Sequence, residues 1–252
     1  MIVLPQLRAD VIEPFPDPAR ALREPNGLLA FGGDLSPVRL LDAYRHGIFP
    51  WFNDGQPILW WSPDPRCVFR TADLRINRSL RRQLSGKAWR LTVDHAFADV
   101  MAACAMPRND DAGTWISPAM IDAYVQLHQR GHAHSVEVWD DDRLVGGIYG
   151  VAVGKLFCGE SMFSAESGGS KLALVSLARL LSDRGYPLID TQVANAHTLG
   201  LGAVELPRKY FLEQVSRLAA QAGHVGSWHE LTDGLQQPGT INLSGPSLFS
   251  AN

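Results

Sequence analysis

The sequence predicts an α+β protein in which helices pack on a mainly antiparallel sheet, with a small N-terminal domain ahead of it. Three observations predict this. Residues 133–163 hold apolar runs that alternate or are broken by glycine; an apolar helical stretch, a short strand and a last helix follow them; and the first 66 residues are instead rich in proline, glycine and aromatics. At 252 residues and 46% hydrophobic composition, the chain can bury a substantial core.

Taken in order, the first clear helix covers residues 36–46, where Ser36 is the N-cap, Pro37 takes N1, and Leu40, Leu41 and Tyr44 recur at helical spacing. A second, very basic helix is expected over 74–84. A third runs over 117–130, opened by Ser-Pro and closed by Gly131. After Gly131 the period changes to that of a strand through 133–139, and Asp140-Asp141-Asp142 makes a turn into strands at 144–153 and 155–163, an antiparallel meander. Residues 172–181 form an apolar helix, 188–193 a short strand, and 208–222 the last helix. The domain reading is therefore 1–66, 67–232, and a Gly-, Pro- and Ser-rich irregular tail at 233–252.

A net charge of -3, with 23 Lys+Arg against 26 Asp+Glu, argues against a protein that coats nucleic acid over its whole surface. Cys67, Cys104 and Cys158 are odd in number, far apart and in no C-x-x-C arrangement, so neither a disulfide framework nor a thiolate zinc site is indicated. The N-terminus has no charged segment followed by an apolar one, and no apolar run approaches the ~20 residues of a membrane span. These features predict a soluble cytoplasmic protein without a membrane partner.

Charge is nonetheless concentrated locally. Between residues 70 and 90, Arg70, Arg75, Arg78, Arg81, Arg82, Lys87 and Arg90 are opposed only by Asp73. On a helix, Arg75, Arg78 and Arg82 share one face with Arg81 close by, an arrangement that suits the phosphates of a folded RNA; a solvated helix face is the plainer reading. Two aromatic clusters, Phe49-Pro50-Trp51-Phe52 and Trp60-Trp61, fit either a small core joining the domains or a surface on which a base stacks.

Several motifs fail on inspection. The glycines of 146–154 do not make a phosphate loop, because only three residues separate Gly150 from Gly154 and Leu156 follows Lys155. Phe163 replaces the second glycine of a nucleophile elbow around Ser161. His128, His132 and His134 straddle a helix end and a strand start, with no carboxylate completing a metal site. Asp190 and Gln192 are better placed: two apart on a strand, they share a face of an otherwise apolar segment, which is costly unless they bond something. Glu160, in an equally apolar strand, is the natural third member; a polar network internal to the fold is the alternative.

At these residues the sequence resembles the bacterial leucyl/phenylalanyl-tRNA–protein transferase family over residues 23–212. The resemblance is carried by Arg23-Glu24-Pro25-Asn26-Gly27-Leu28-Leu29-Ala30 with Gly32-Gly33-Asp34-Leu35, by Gly47-Ile48-Phe49-Pro50-Trp51-Phe52, and by Trp60-Trp61-Ser62-Pro63-Asp64-Pro65-Arg66. Gly113-Thr114-Trp115-Ile116, Gly159-Glu160-Ser161-Met162-Phe163-Ser164 and Leu188-Ile189-Asp190-Thr191-Gln192 complete the family order.

The resemblance implies a C-terminal domain with an N-acetyltransferase-like (GNAT-type) fold. It also implies transfer of Leu or Phe, with Met a further candidate, from aminoacyl-tRNA to the α-amine of proteins beginning with Arg or Lys, which marks them for N-end-rule degradation. Carried over, the catalytic pair is Asp190 and Gln192, with Glu160 in the substrate site and Trp51 and Trp115 near the terminal adenosine. The aminoacyl pocket would be lined by Ile148, Phe157, Met162, Leu174, Leu177 and Ile189. Ile148 stands where methionine is expected in relatives and Leu177 where an aromatic is expected, which bears on the Leu-to-Phe preference. Arg75, Arg78, Arg81 and Arg82 would then hold tRNA.

An aminoacyl ester is already activated, so no cofactor, metal or enzyme nucleophile is expected, and the chain is expected to act as a monomer. In this reading Gln192 orients the amine, Asp190 fixes Gln192, protons pass through water or the tRNA 2′-hydroxyl, and the charges of Glu160 and Asp190 suit a cationic acceptor. An acyl-CoA-dependent N-acyltransferase of the same fold and a non-catalytic tRNA-binding module are the competing functions.

Overall fold

A computed structural model of the chain describes residues 4–74, 78–85, 87–106 and 114–229. Near the N-terminus, strands β1 (Gln6–Leu7) and β2 (Leu28–Gly32), helix α1 (Pro37–Arg45), and strands β3 (Phe49–Pro50) and β4 (Leu59–Trp61) form a small unit. Its sheet has the order β1-β2-β4-β3, parallel only between β1 and β2. Ser36 caps α1 as expected, its hydroxyl accepting from the Arg39 N–H, with Pro37 at N1. The apolar stripe of α1 buries Leu40, Leu41, Ala43 and Tyr44.

The chain continues with β5 (Arg66–Arg70), α2 (Arg78–Leu84), β6 (Arg90–Val93), α3 (Phe97–Ala105) and α4 (Pro118–Gln129). The meander follows as β7 (Ala133–Asp140), β8 (Arg143–Val153) and β9 (Leu156–Ser164), then α5 (Gly169–Asp183), β10 (Leu188–Asp190), α6 (Ala196–Gly200), β11 (Val204–Leu206) and α7 (Arg208–Ala219). Seven strands make one sheet in the order β11-β5-β10-β9-β8-β7-β6, antiparallel throughout except for β9 beside β10. The mixed, antiparallel-rich α+β class is the one the sequence predicts.

Alternation along β8 shows how the sheet is covered on both faces. Tyr149, Val151 and Val153 enter a core that also contains Leu40, Tyr44, Ile48 and Trp60 of the N-terminal unit and buried residues of α3, α4 and α7. Ile148 and Ala152 face a second core, filled by α5, by Leu80 and Leu84 of α2, and by Trp228. Helix α5 is buried across the whole of 172–178, consistent with its apolar sequence. Its N-terminus crosses β8 so closely that a Cβ on Gly146 would lie 2.5 Å from the Gly169 backbone.

Three departures from the sequence reading matter for the site. The strand expected over 188–193 stops at Asp190, because Gln192 adopts φ 58 and the chain turns toward α6. Strands β5, β6 and β11 and helices α3 and α6 were not anticipated; β5 pairs with β10 and β11, more than 100 residues further along the chain. The last helix is three residues shorter than expected, ending at Ala219. The expected tail at 233–252 lies outside the described residues, as does Arg75 at the start of the basic helix.

Candidate active site

The parallel strands β9 and β10 pair only between Leu156–Cys158 and Leu188–Asp190. Beyond that register they carry Gly159, Glu160, Thr191 and Gln192 into the wall of a cavity of about 520 Å³. Opposite, β8 and β9 lose register at one point: Tyr149 pairs Ser161 and Gly150 pairs Gly159, so Glu160 is the extra residue of a β-bulge. A bulge bends a strand and re-aims one side chain, here the glutamate. Gly150 permits it, since a Cβ there would lie 2.1 Å from the Cys158 carbonyl oxygen.

The apolar side of the cavity consists of Phe69, Ile148, Met162, Leu174 and Ile189, and its rim includes Trp115, Asn195, His197 and Thr198. A smaller cavity of about 190 Å³ adjoins it, adding Phe49, Pro50 and Trp51 while sharing Trp115, Glu160, Thr191 and Gln192. Four of the six expected pocket residues thus line the larger cavity. Phe157 and Leu177 do not; both are buried behind its wall, Phe157 with its ring 5.7 Å from Trp228. Trp51 is 45% exposed, and its carbonyl is held by the Trp61 indole N–H at 2.6 Å. Trp60, by contrast, is core, donating to the Gly32 carbonyl at 2.8 Å.

Asp190 is wholly buried, and its two oxygens accept from Arg66 Nε at 2.8 Å and Arg66 Nη2 at 2.7 Å. Arg66 also donates to the Gly47 carbonyl at 3.0 Å and lies between the rings of Phe49 and Phe211, 4.8 and 4.6 Å from their centroids. The expectation that Asp190 offers negative charge to an acceptor is corrected here, because that charge is already matched by a guanidinium. Its link to Gln192 is also different from a shared strand face: Asp190 Oδ1 accepts the Gln192 backbone N–H at 3.0 Å. With the Gln192 carbonyl accepting from the Cys67 N–H at 3.1 Å, these bonds hold a left-handed backbone that a non-glycine residue adopts only at some cost.

The Gln192 side chain belongs to Glu160 instead, its Nε2 donating to Glu160 Oε1 at 3.2 Å. Glu160 Oε1 also accepts from the Tyr44 hydroxyl at 2.8 Å, and Oε2 from the Tyr124 hydroxyl at 3.1 Å. Loss of solvent raises the Glu160 carboxyl from 4.5 to about 7, the charge of Asp190 adding to it, while the two tyrosine bonds and Arg66 pull the other way. Both phenols are driven well above 10 by burial and by the nearby glutamate.

Tyr44, Tyr124, Arg66 and Phe69 were missed by sequence reasoning. The signal for Tyr44 was only a helical apolar stripe, and Arg66 stood at the end of a Trp-Trp-Ser-Pro-Asp-Pro-Arg run; nothing local connects either to a carboxylate more than 100 residues away.

Elsewhere, Arg78, Arg81 and Arg82 are exposed on α2, while Leu80 and Leu84 of that helix are buried close to Gly168 before α5. Among the described residues no group of three His, Cys, Asp or Glu could hold a metal. His134 is bonded to Asp94 at 2.8 Å and stacked on Trp228, and His128 to the Ala133 carbonyl at 2.8 Å. No helix among the described residues is long and apolar enough to cross a membrane.

A family model described as leucyl/phenylalanyl-tRNA protein transferase matches residues 68–216, and the model of that family's N-terminal domain matches residues 33–64. The chain belongs to this family. A leucyl/phenylalanyl-tRNA–protein transferase from Xanthomonas axonopodis pv. citri is 59% identical over 223 residues, 88% of this chain and 90% of the relative. One from Xanthomonas campestris pv. campestris is 60% identical over the same shares, and one from Tolumonas auensis 56% identical over 85% and 92%. The protein is therefore an aminoacyltransferase.

Likeness to solved structures is distant. The structure of L-PGS from Bacillus licheniformis matches with a TM-score of 0.41 at 10% identity, over 63% of this chain and 65% of that one. A GCN5-related N-acetyltransferase-like protein from Streptococcus suis matches at 0.30 and 15%, over 64% and 62%.

Proposed function

We propose that this transferase moves leucine or phenylalanine from charged tRNA onto the N-terminal α-amine of proteins that begin with Arg or Lys. Family membership supports the reaction class, and one observation supports its location. The Glu160–Gln192 hydrogen bond stands at the junction of the apolar cavity with the aromatic one. In this reading the aminoacyl side chain occupies the wall of Phe69, Ile148, Met162, Leu174 and Ile189. The terminal adenosine lies against Trp51 and Trp115, and the basic stretch that includes Arg75, Arg78, Arg81 and Arg82 takes tRNA phosphates.

The chemistry needs a neutral amine beside an ester carbonyl. An α-amine with a pKa of about 7.7–8.0 is largely protonated at neutral pH, so a proton acceptor of matched affinity accelerates attack. Glu160, raised to about 7, has that affinity. Gln192 donates its amide N–H to Glu160, and its amide oxygen has no partner among the described residues, so it is available to accept an amine N–H and aim the nitrogen. The amine nitrogen bonds to the carbonyl carbon and gives its proton to Glu160. The bond from that carbon to the ribose 3′-oxygen breaks, and Glu160 returns the proton to the departing oxygen. Glu160 thus takes the place assigned to water or the 2′-hydroxyl in the sequence reading, and Asp190 acts by fixing the Gln192 backbone. The charge that meets a cationic acceptor is likewise that of Glu160. The setting is cytoplasmic, the protein a monomer, and the product a substrate for regulated degradation.

The test is transfer of radiolabelled leucine from charged tRNA to a peptide starting with Arg, beside one starting with Ala. Transfer to the Arg peptide alone is expected. Equal transfer to both, or to neither, overturns the acceptor rule or the activity respectively.

A further inference from the structure

We infer that Tyr44 and Tyr124 are positioning residues for the transfer step: their hydroxyls hold the Glu160 carboxylate as a proton acceptor and keep it bonded after the proton arrives. The inference rests on the role given above to Glu160. The three groups come from α1, α4 and β9, and the tyrosine side chains are fully buried. The fold brings them together from three separate elements; both rings are packed in the main core, while their hydroxyls turn to the glutamate.

The geometry is a ring of three contacts. Tyr44 donates to Glu160 Oε1 at 2.8 Å, Tyr124 donates to Glu160 Oε2 at 3.1 Å, and the two hydroxyls also touch each other. With Glu160 ionised, two phenol protons serve three contacts, and the two that reach the carboxylate are charge-assisted. With Glu160 protonated, a third proton becomes available and every contact in the ring can have its own. Neither protonation state leaves the carboxyl unsatisfied. Bonds to a charged group are stronger than bonds to a neutral one, so the net action of the tyrosines is to oppose the burial that would otherwise leave Glu160 protonated and unable to accept.

The phenols themselves are donors at working pH, since burial and the glutamate push both well above 10. One other group donates to Glu160, the Gln192 amide at Oε1, and it lies outside the ring of hydroxyl contacts. Arg66 on β5 is committed to Asp190 of β10, and Gln192 is neutral. Cys158 on the same strand is a buried thiol pushed upward, and Cys104 of α3 lines the cavity. Tyr149 of β8, also influenced by the Glu160 charge, has a buried hydroxyl with no partner among the described residues.

The test is a titration of the Glu160 carboxyl stretch by infrared difference spectroscopy, with the band assigned by its loss in Glu160→Gln. In the unmodified protein the midpoint is expected near 7. Tyr44→Phe and Tyr124→Phe, which retain the ring and its packing, should each raise it by roughly one pH unit, and the double variant by more. Transfer at pH 7 should fall roughly fivefold in each single variant, further in the double variant, and recover in the single variants at pH 9, with little change in KM for aminoacyl-tRNA. Single variants that melt as the parent does but leave the midpoint in place would overturn the inference, as would a loss of rate equal at both pH values. Glu160→Gln transferring at the parent rate would instead remove Glu160 as proton acceptor, whatever the tyrosines do to the midpoint.

Discussion

Asp190 and Glu160 stand on adjacent strands and are tied to the same residue, Asp190 through the Gln192 backbone N–H and Glu160 through the Gln192 side-chain amide. Their partners could hardly differ more. Asp190 is met head-on by a guanidinium that is itself packed between two phenylalanine rings. Glu160 is met by two phenols and a carboxamide, none of which carries charge. A carboxylate gripped in bidentate fashion by arginine has its oxygens committed, and serves as a fixed post for the backbone. One that is desolvated and held only by neutral donors keeps its lone pairs bonded yet remains willing to take a proton. Two acidic residues that look alike in the sequence therefore sit in opposite environments, and the proposed mechanism gives the first a mechanical role and the second a chemical one.

The sharpest way to break that contrast is to remove each charge in turn. Glu160→Gln keeps the shape and the hydrogen-bonding reach of the side chain but abolishes proton uptake, and single-turnover transfer should fall on the order of 10²- to 10⁴-fold at pH 7. Near-parent rates in that variant would place the chemistry elsewhere. Arg66→Met should act on the other side of the comparison, leaving Asp190 buried and unpaired at a cost of about 3–5 kcal/mol in urea unfolding. Adding Asp190→Asn to it should recover a good part of that loss, and a parent-like unfolding midpoint for Arg66→Met alone would mean that the pair contributes nothing.

The smallest effect concerns pH. Glu160 titrates near 7 in the folded chain against an ordinary value of 4.5. The folded state therefore binds more protons than the unfolded state across that window, and the associated stability is complete below 4.5 and lost as pH rises through 7. Glu160→Gln has no such proton to bind. Its stability relative to the parent should rise between pH 5 and pH 8 by about 2–3 kcal/mol in urea unfolding. A difference that is flat over the same range would show that the carboxyl is not desolvated in solution.

Legibility in the sequence followed the range of the interactions involved. Helix α1 could be read from Ser36-Pro37 and its apolar stripe, α4 from Ser117-Pro118 and Gly131, and the β7–β9 meander from its alternation, because each signal lies within a dozen residues. Strand β5 could not, since Arg66-Cys67-Val68-Phe69-Arg70 becomes a strand through partners at 188–190 and 204–206. The break after Asp190 was hidden for the same reason: Leu188 to Val193 has strand composition, and only the bonds from Asp190 and Cys67 turn Gln192 out of line. Glu160 and Gln192 were visible as polar residues in apolar strands, which burial makes costly unless they are bonded.

By itself the sequence determined the α+β class, the order of the main helices and the meander, the family, and the short set of polar residues from which the site is drawn. Tertiary structure decided what each of those residues is. The register shift at Gly150 aims Glu160, and partners 116 and 36 residues away leave it with phenols, while a partner 124 residues away gives Asp190 its arginine. Proton affinity depends on solvent exclusion and on neighbours in space, and chain position specifies neither until the fold has closed.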